Sequence, residues 1–185
     1  MNTKLFVFLA LALSAALCGC RTAGPVTNGV QMSLSVSGSG KPADVMLEVA
    51  FHNAGDKDVC LNLGKMLANG NVMFPNKISL ALRDSSGKRQ ELHFIDRRFA
   101  SISGRLDDYV VPLRAGSTAT IQLSLDQFMP SDGGNELKLR PGHYAVTATY
   151  QGSGAETSNL DMTGMKLMNF WKGKLVSNAV YATVK

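Results

Sequence analysis

Apolar and polar residues alternate along most of this chain. Val30, Met32, Leu34 and Val36 are separated by Gln31, Ser33 and Ser35. That period of two lets a strand put one face in a core and the other in water. The alternation returns at Val45, Leu47, Val49 and Phe51, at Ile78, Leu80 and Leu82, and at Ala119, Ile121, Leu123 and Leu125. It appears again at Tyr144, Val146, Ala148 and Tyr150, and at Val180, Ala182 and Val184. Between these segments lie Asn53-Ala54-Gly55-Asp56, Asp84-Ser85-Ser86-Gly87, Arg114-Ala115-Gly116, Asp132-Gly133-Gly134-Asn135 and Arg140-Pro141-Gly142. Each cluster supplies residues that tolerate turn dihedrals.

Strands at this spacing, joined by such turns, predict an all-β fold, an antiparallel immunoglobulin-like β-sandwich. Helical periodicity is scarce. Short turns of helix are expected at Asp126 to Met129, with Asp126 as the cap, and near Met162 to Asn169. The chain is longer than a minimal sandwich of about 100 residues. Its surplus falls in Gly64 to Asn76, Asp96 to Asp108 and Gly152 to Lys174, read as long loops or an extra hairpin. Loops of that length are where binding usually resides.

The first residues follow a different logic. Lys4 gives a positive start, and an apolar run from Leu5 to Leu17 follows it. The run is too short to span a bilayer, which takes roughly 20 residues, and it has the form of a secretory signal peptide. Residues 21–29 hold Gly, Pro, Thr and Asn with little to bury, as a flexible tether would. The expected organisation is a signal peptide over 1–19, a lipidated tether over 20–29 and one sandwich domain over 30–185.

Leu17-Cys18-Gly19-Cys20 resembles the lipobox of bacterial lipoproteins, with Cys18 in a position that usually holds Ala or Ser. The resemblance implies that Cys20 carries the lipid. Cys18 fits less well as the acceptor, because Leu17 would then occupy the cleavage position. Acyl burial contributes about 0.8 kcal/mol per methylene, so two or more chains hold a soluble domain at a membrane unaided. Arg21 follows the anchor. By the sorting rule of enteric lipoproteins this implies the periplasmic face of the outer membrane rather than the inner membrane.

Charge changes the picture little. The chain carries a net charge of +5, and loss of the signal peptide removes only Lys4 among charged residues. The basic residues are scattered without interleaved aromatics, which argues against nucleic acid as a partner. Arg97, Arg98 and Arg105 read as a solvated face rather than a lipid-binding one. With Cys18 lost and Cys20 lipidated, Cys60 stands alone, so no disulfide within the domain is expected. It lies in an alternating segment and reads as a buried, inert thiol rather than a reactive one.

Val45 to Asn53 followed by Asp56-Lys57-Asp58-Val59, then Ile78 to Gly87, Val111 to Gly116 and Leu139 to Tyr144, resembles uncharacterised secreted immunoglobulin-like domains of bacteria. A weaker similarity is to the BsuPI-type proteinase inhibitor family. The likeness implies a structural role for Tyr144, with its ring buried and its hydroxyl bonded to nearby backbone as in a tyrosine corner. It also implies that Trp171 caps the core.

Candidate chemistry is sparse. His52, His93 and His143 lack metal-ligand spacing, and Asp84, Asp96, Asp107 and Asp108 do not form a calcium loop. Met162, Met165 and Met168 recur at every third residue, as soft ligands for Cu(I) would. Beside Leu167, Phe170 and Trp171 they read more readily as packing. Gly-x-Ser-x-Gly and phosphate-binding glycine loops are missing. The reading that follows has no catalytic residues, no metal site and no cofactor. It is a membrane-anchored, non-enzymatic binding or structural module of the cell envelope that contacts an envelope protein, with protease inhibition through an exposed loop as the first alternative and Cu(I) binding by an envelope protein as the second.

Overall fold

The computed structural model describes residues 23–67, 70, 72–95, 104–131, 137–156 and 168–185. The expected signal peptide, Cys20, Asp96, Arg97, Arg98, the expected turn at 132–135, Met162 and Met165 lie outside them. Strands follow in chain order as β1 (Val30–Ser37), β2 (Met46–Asn53), β3 (Val59–Leu67), β4 (Met73–Phe74), β5 (Ile78–Arg83) and β6 (Arg89–Phe94). Then come β7 (Leu106–Leu113), β8 (Thr118–Ser124), β9 (Phe128–Pro130), β10 (Gly142–Gly152), β11 (Gly173–Val176) and β12 (Val180–Val184). Every pairing between these strands is antiparallel.

The strands form three sheets, in the orders β1-β2-β8, β11-β10-β5-β6-β9 and β4-β3-β7, with β12 also on β10. Side chains from all three meet in one core, including Val30, Leu47 and Phe51, Ile78, Leu80 and Tyr150, and Leu61, Leu63 and Leu113. The architecture is an antiparallel all-β sandwich. Burying each Leu- or Ile-sized side chain contributes about 1.5–3 kcal/mol. Phe51 meets Tyr150 edge-on at 5.2 Å, and Tyr150 stacks on Trp171 at 5.8 Å. Trp171 is 4% exposed and so closes the core as expected, its indole N–H donating to the Asn28 carbonyl at 3.1 Å.

Each of the six segments with clean alternation is a strand: β1, β2, β5, β8, β10 and β12. Gly64 to Asn76 is not one loop. It holds the end of β3 and all of β4, which pair as an extra hairpin. The turn after Leu125 is a single 3-10 turn over Leu125–Gln127. Asp126 does not cap it. Ser124 precedes the turn, and its N–H donates to the Gln127 side-chain oxygen at 2.7 Å.

The tether reading also changes for residues 24–29. The Gly24 N–H donates to the Met32 carbonyl at 2.9 Å, and the Gln31 amide returns a bond to the Gly24 carbonyl at 2.7 Å. A Cβ on Gly24 would sit 1.9 Å from the Val176 carbonyl oxygen, so only glycine lets the chain lie this close to β11. Further along, the Asn178 side chain both donates to and accepts from the backbone of Leu34, at 3.0 and 2.8 Å. It stitches the break between β11 and β12 onto β1.

Candidate functional site

The three surplus stretches converge. β3 carries a bulge between Asn62 and Gly64, and a bulge inserts an extra residue that re-aims side chains. Asn62 is thereby fully buried. Its amide donates to the Gly154 carbonyl at 2.8 Å and to Asp108 Oδ1 at 3.3 Å, and its Oδ1 accepts the Gly64 N–H at 3.1 Å. Gly64 has φ +146°, and a Cβ there would lie 2.2 Å from the Phe74 carbonyl oxygen. Glycine is required at that corner both by conformation and by space.

Asp108, on β7, is the hub. It is 2% exposed and accepts from Lys65 Nζ at 3.1 Å and from the Glu156 N–H at 2.9 Å. Thus Gly64–Asn76 contributes Lys65, Asp96–Asp108 contributes Asp108, and Gly152–Lys174 contributes Gly154 and Glu156. Lys77 extends the network, with its Nζ 2.7 Å from Glu156 Oε1 and also bonded to Ser153 Oγ. Ser153 Oγ donates to Glu156 Oε1 at 2.7 Å. Hydrogen bonds from Lys77 and then from Ser153 hold the Glu156 carboxyl below its ordinary range, against the smaller opposing effect of burial.

Asp107, the preceding residue, turns to the opposite side of β7. It is 4% exposed, with Oδ2 2.9 Å from Arg105 Nη2, while Oδ1 has no hydrogen-bond partner among the described residues. Beneath the cluster the Tyr150 hydroxyl donates to the Asn62 carbonyl at 3.0 Å, and burial pushes its phenol far up. Charges here pair with one another. Ser153 and Lys77 touch, as a nucleophile and its base would. The same Nζ is paired with Glu156 Oε1.

Other residues singled out in the sequence stay apart. His52 bonds Thr118 Oγ1 at 3.1 Å on the first sheet, and His143 bonds Thr183 Oγ1 at 3.0 Å on the second. His93 stands on β6. Among the described residues no three His, Cys, Asp or Glu side chains come together as a metal site needs. Met168 is exposed. Cys60 is half-buried and free; burial, and then the nearby Asp58 charge, raise its thiol. Both effects disfavour the reactive thiolate. Asp84 accepts three bonds from Ser86 and Lys88 within its own turn.

Sequence reasoning named the three stretches but missed Asn62, Lys65, Lys77, Ser153 and Glu156. The available signal was polar residues at Asn62 and at Asp107-Asp108 within otherwise apolar strand segments. Buried polar groups must find partners, and here they find one another.

No family model matches the chain, and no curated protein matches it. Among solved structures the chain is similar to a β-glucosidase from Erythrobacter marinus, at 15% identity and a TM-score of 0.36. The match covers 84% of this chain and spans 15% of that protein's length. At that TM-score the likeness carries no argument about activity.

Proposed function

We propose that this protein is a lipid-anchored binding module of the bacterial cell envelope, non-enzymatic, which engages an envelope protein through the loop end of its sandwich. The observation that carries the reading is the meeting of Lys65, Asp108 and Glu156: three stretches far apart in sequence are fastened to one end of a rigid sheet stack. A scaffold that fixes loop stems this way suits recognition, because the stems need no ordering on binding. The immunoglobulin-like part of the reading is supported by Tyr144, whose buried ring and bond from its hydroxyl to the Arg140 carbonyl at 2.8 Å match a tyrosine corner.

The anchor rests on Leu17-Cys18-Gly19-Cys20, with Cys20 as the lipidated residue and the periplasmic face of the outer membrane as the destination. Among the described residues no helix is long and apolar enough to cross a membrane. The test is copurification of the full-length protein from its own cells after mild crosslinking, beside Cys20→Ala. A stoichiometric envelope protein recovered with the wild type and lost with Cys20→Ala is the expected result. Recovery of no protein, or equal recovery with both forms, would overturn the reading.

A further inference from the structure

The chain enters the fold beside one particular face. Gly24 is buried against the Val176 carbonyl, so close that a Cβ would not fit between them. Cys20 lies four residues earlier, and four residues of fully extended chain span at most about 14 Å. An anchor on Cys20 therefore brings the bilayer surface to the Val176 end of β11. Lys174 and Val176 are the exposed residues of that strand, and they point to the outer face of the sheet β11-β10-β5-β6.

Across this face Tyr181, Ala145, Arg83 and Arg89 stand in one row, on β12, β10, β5 and β6. Arg83 and Arg89 are both exposed and directly opposed, and like charges so opposed destabilise a strand pair. Glu91, the next outward residue of β6, accepts from Arg89 Nε at 2.7 Å. Arg83 and Lys174 meet no acid among the described residues. Between these cations runs a trough of about 360 Å³. Ala81, Ala145 and Thr147 make its shallow floor, with Arg83 and Arg89 on one rim and Lys174 and Val176 on the other. Val176 is 37% exposed and Tyr181 is 75% exposed.

We infer that this face lies on the membrane, with Arg83, Arg89 and Lys174 receiving the phosphate headgroups of anionic lipids. The inference rests on the Cys20 anchor proposed above. Two separate features select the occupant. The four-residue link brings the bilayer to Val176 rather than to any other face. The side chains there suit a headgroup layer: guanidinium groups match phosphate oxygens with paired N–H donors, and a tyrosine has an apolar ring with a polar tip, the build enriched at membrane–water interfaces. A phosphate between two opposed arginines also relieves their repulsion. Tyr181 stands beside Ala145, near the start of β10, whereas the knot at Ser153 and Glu156 follows the end of that strand. The knot is thereby left open to a protein partner.

The test uses the full chain, processed in its host and reconstituted on vesicles of phosphatidylcholine alone or of equal parts phosphatidylcholine and phosphatidylglycerol. Flotation with the phosphatidylcholine vesicles reads the anchor, and lipid adducts from a photoreactive residue in place of Tyr181 read the face. The protein is expected to float with both. Its adduct at position 181 is expected to be at least about five-fold stronger on the mixed vesicles, the effect of one basic residue at an anionic surface. R83Q/R89Q/K174Q, all at exposed positions, is expected to float equally and to lose that gain. K41Q/K57Q/R114Q removes the same charge from exposed positions elsewhere and is expected to keep it. Failure to float with phosphatidylcholine overturns the anchor reading and this inference with it. Flotation without an adduct at position 181, or with equal adducts on the two vesicles, overturns the inference alone. So does a gain that survives R83Q/R89Q/K174Q or is lost with K41Q/K57Q/R114Q.

Discussion

Replacing Asp108 with alanine removes the acceptor on which three loop stems depend. Its side chain is fully buried, and Lys65, the Glu156 N–H and the Asn62 amide all donate to it. Removing one partner of a buried ion pair costs about 3–5 kcal/mol where the other charge stays buried. The Lys65 side chain is 28% exposed and can turn to water, which places the cost near the low end. The backbone N–H of Glu156 and the amide of Asn62 are left to find other acceptors, at about 1–3 kcal/mol for a donor that stays buried and unpaired. Allowing for relaxation of the loop, we expect Asp108→Ala to cost about 3 kcal/mol. For a domain of this size about 3 kcal/mol corresponds to a fall in melting temperature of roughly 6–12 °C. Asp108→Asn keeps the shape and one acceptor oxygen, and should fall by less than half as much. Thermal and urea unfolding followed by far-ultraviolet circular dichroism reads both. A melting temperature for Asp108→Ala within about 2 °C of wild type would refute the claim that this carboxylate ties the stems to the sheet.

Three further outcomes follow from the same geometry. Glu156 has a depressed folded-state pKa, so its contribution is present above the ordinary carboxylate range and is lost as pH falls through the folded value. The stability gap between wild type and Glu156→Gln should therefore shrink on acidification, and a gap that grows would contradict the assignment. Gly64→Ala should destabilise strongly, by more than the roughly 1 kcal/mol of an ordinary Gly–Ala difference, because its Cβ meets backbone at 2.2 Å. Chemical unfolding of that variant settles the point. Cys60 should react with a thiol reagent at neutral pH more slowly than the same protein unfolded in urea, and equal rates would show that neither burial nor Asp58 restrains it.

Period-two alternation is legible wherever a strand has one face in the core and one in water. β1, β2, β5 and β10 satisfy that condition, and their buried residues are those the alternation marks. β3 escapes because its bulge buries Leu61, Asn62, Leu63 and Gly64 in succession. β7 escapes because Asp107 and Asp108 are both buried and Pro112 interrupts it. Neither violation is random. Both stand where the chain trades apolar packing for the polar knot that holds the loop stems. The expected cap at Asp126 missed because the turn is 3-10 and begins one residue earlier, at Leu125. The tether reading overlooked that Gly24, lacking a side chain, can lie flat against β11. Spatial meeting of Lys65, Asp108 and Glu156 carries no sequence signal, since their separations are set by tertiary pairing.

The central claim is that recognition occurs at the loop end, and site-specific photo-crosslinking in intact cells tests it most directly. A photoreactive residue at Ala155 lies beside the knot, and one at Ser86 lies in the turn at the far end of β5 from Lys77. The account predicts a discrete envelope-protein adduct from position 155 and none from position 86. An adduct from position 86 alone, or from neither, would contradict it.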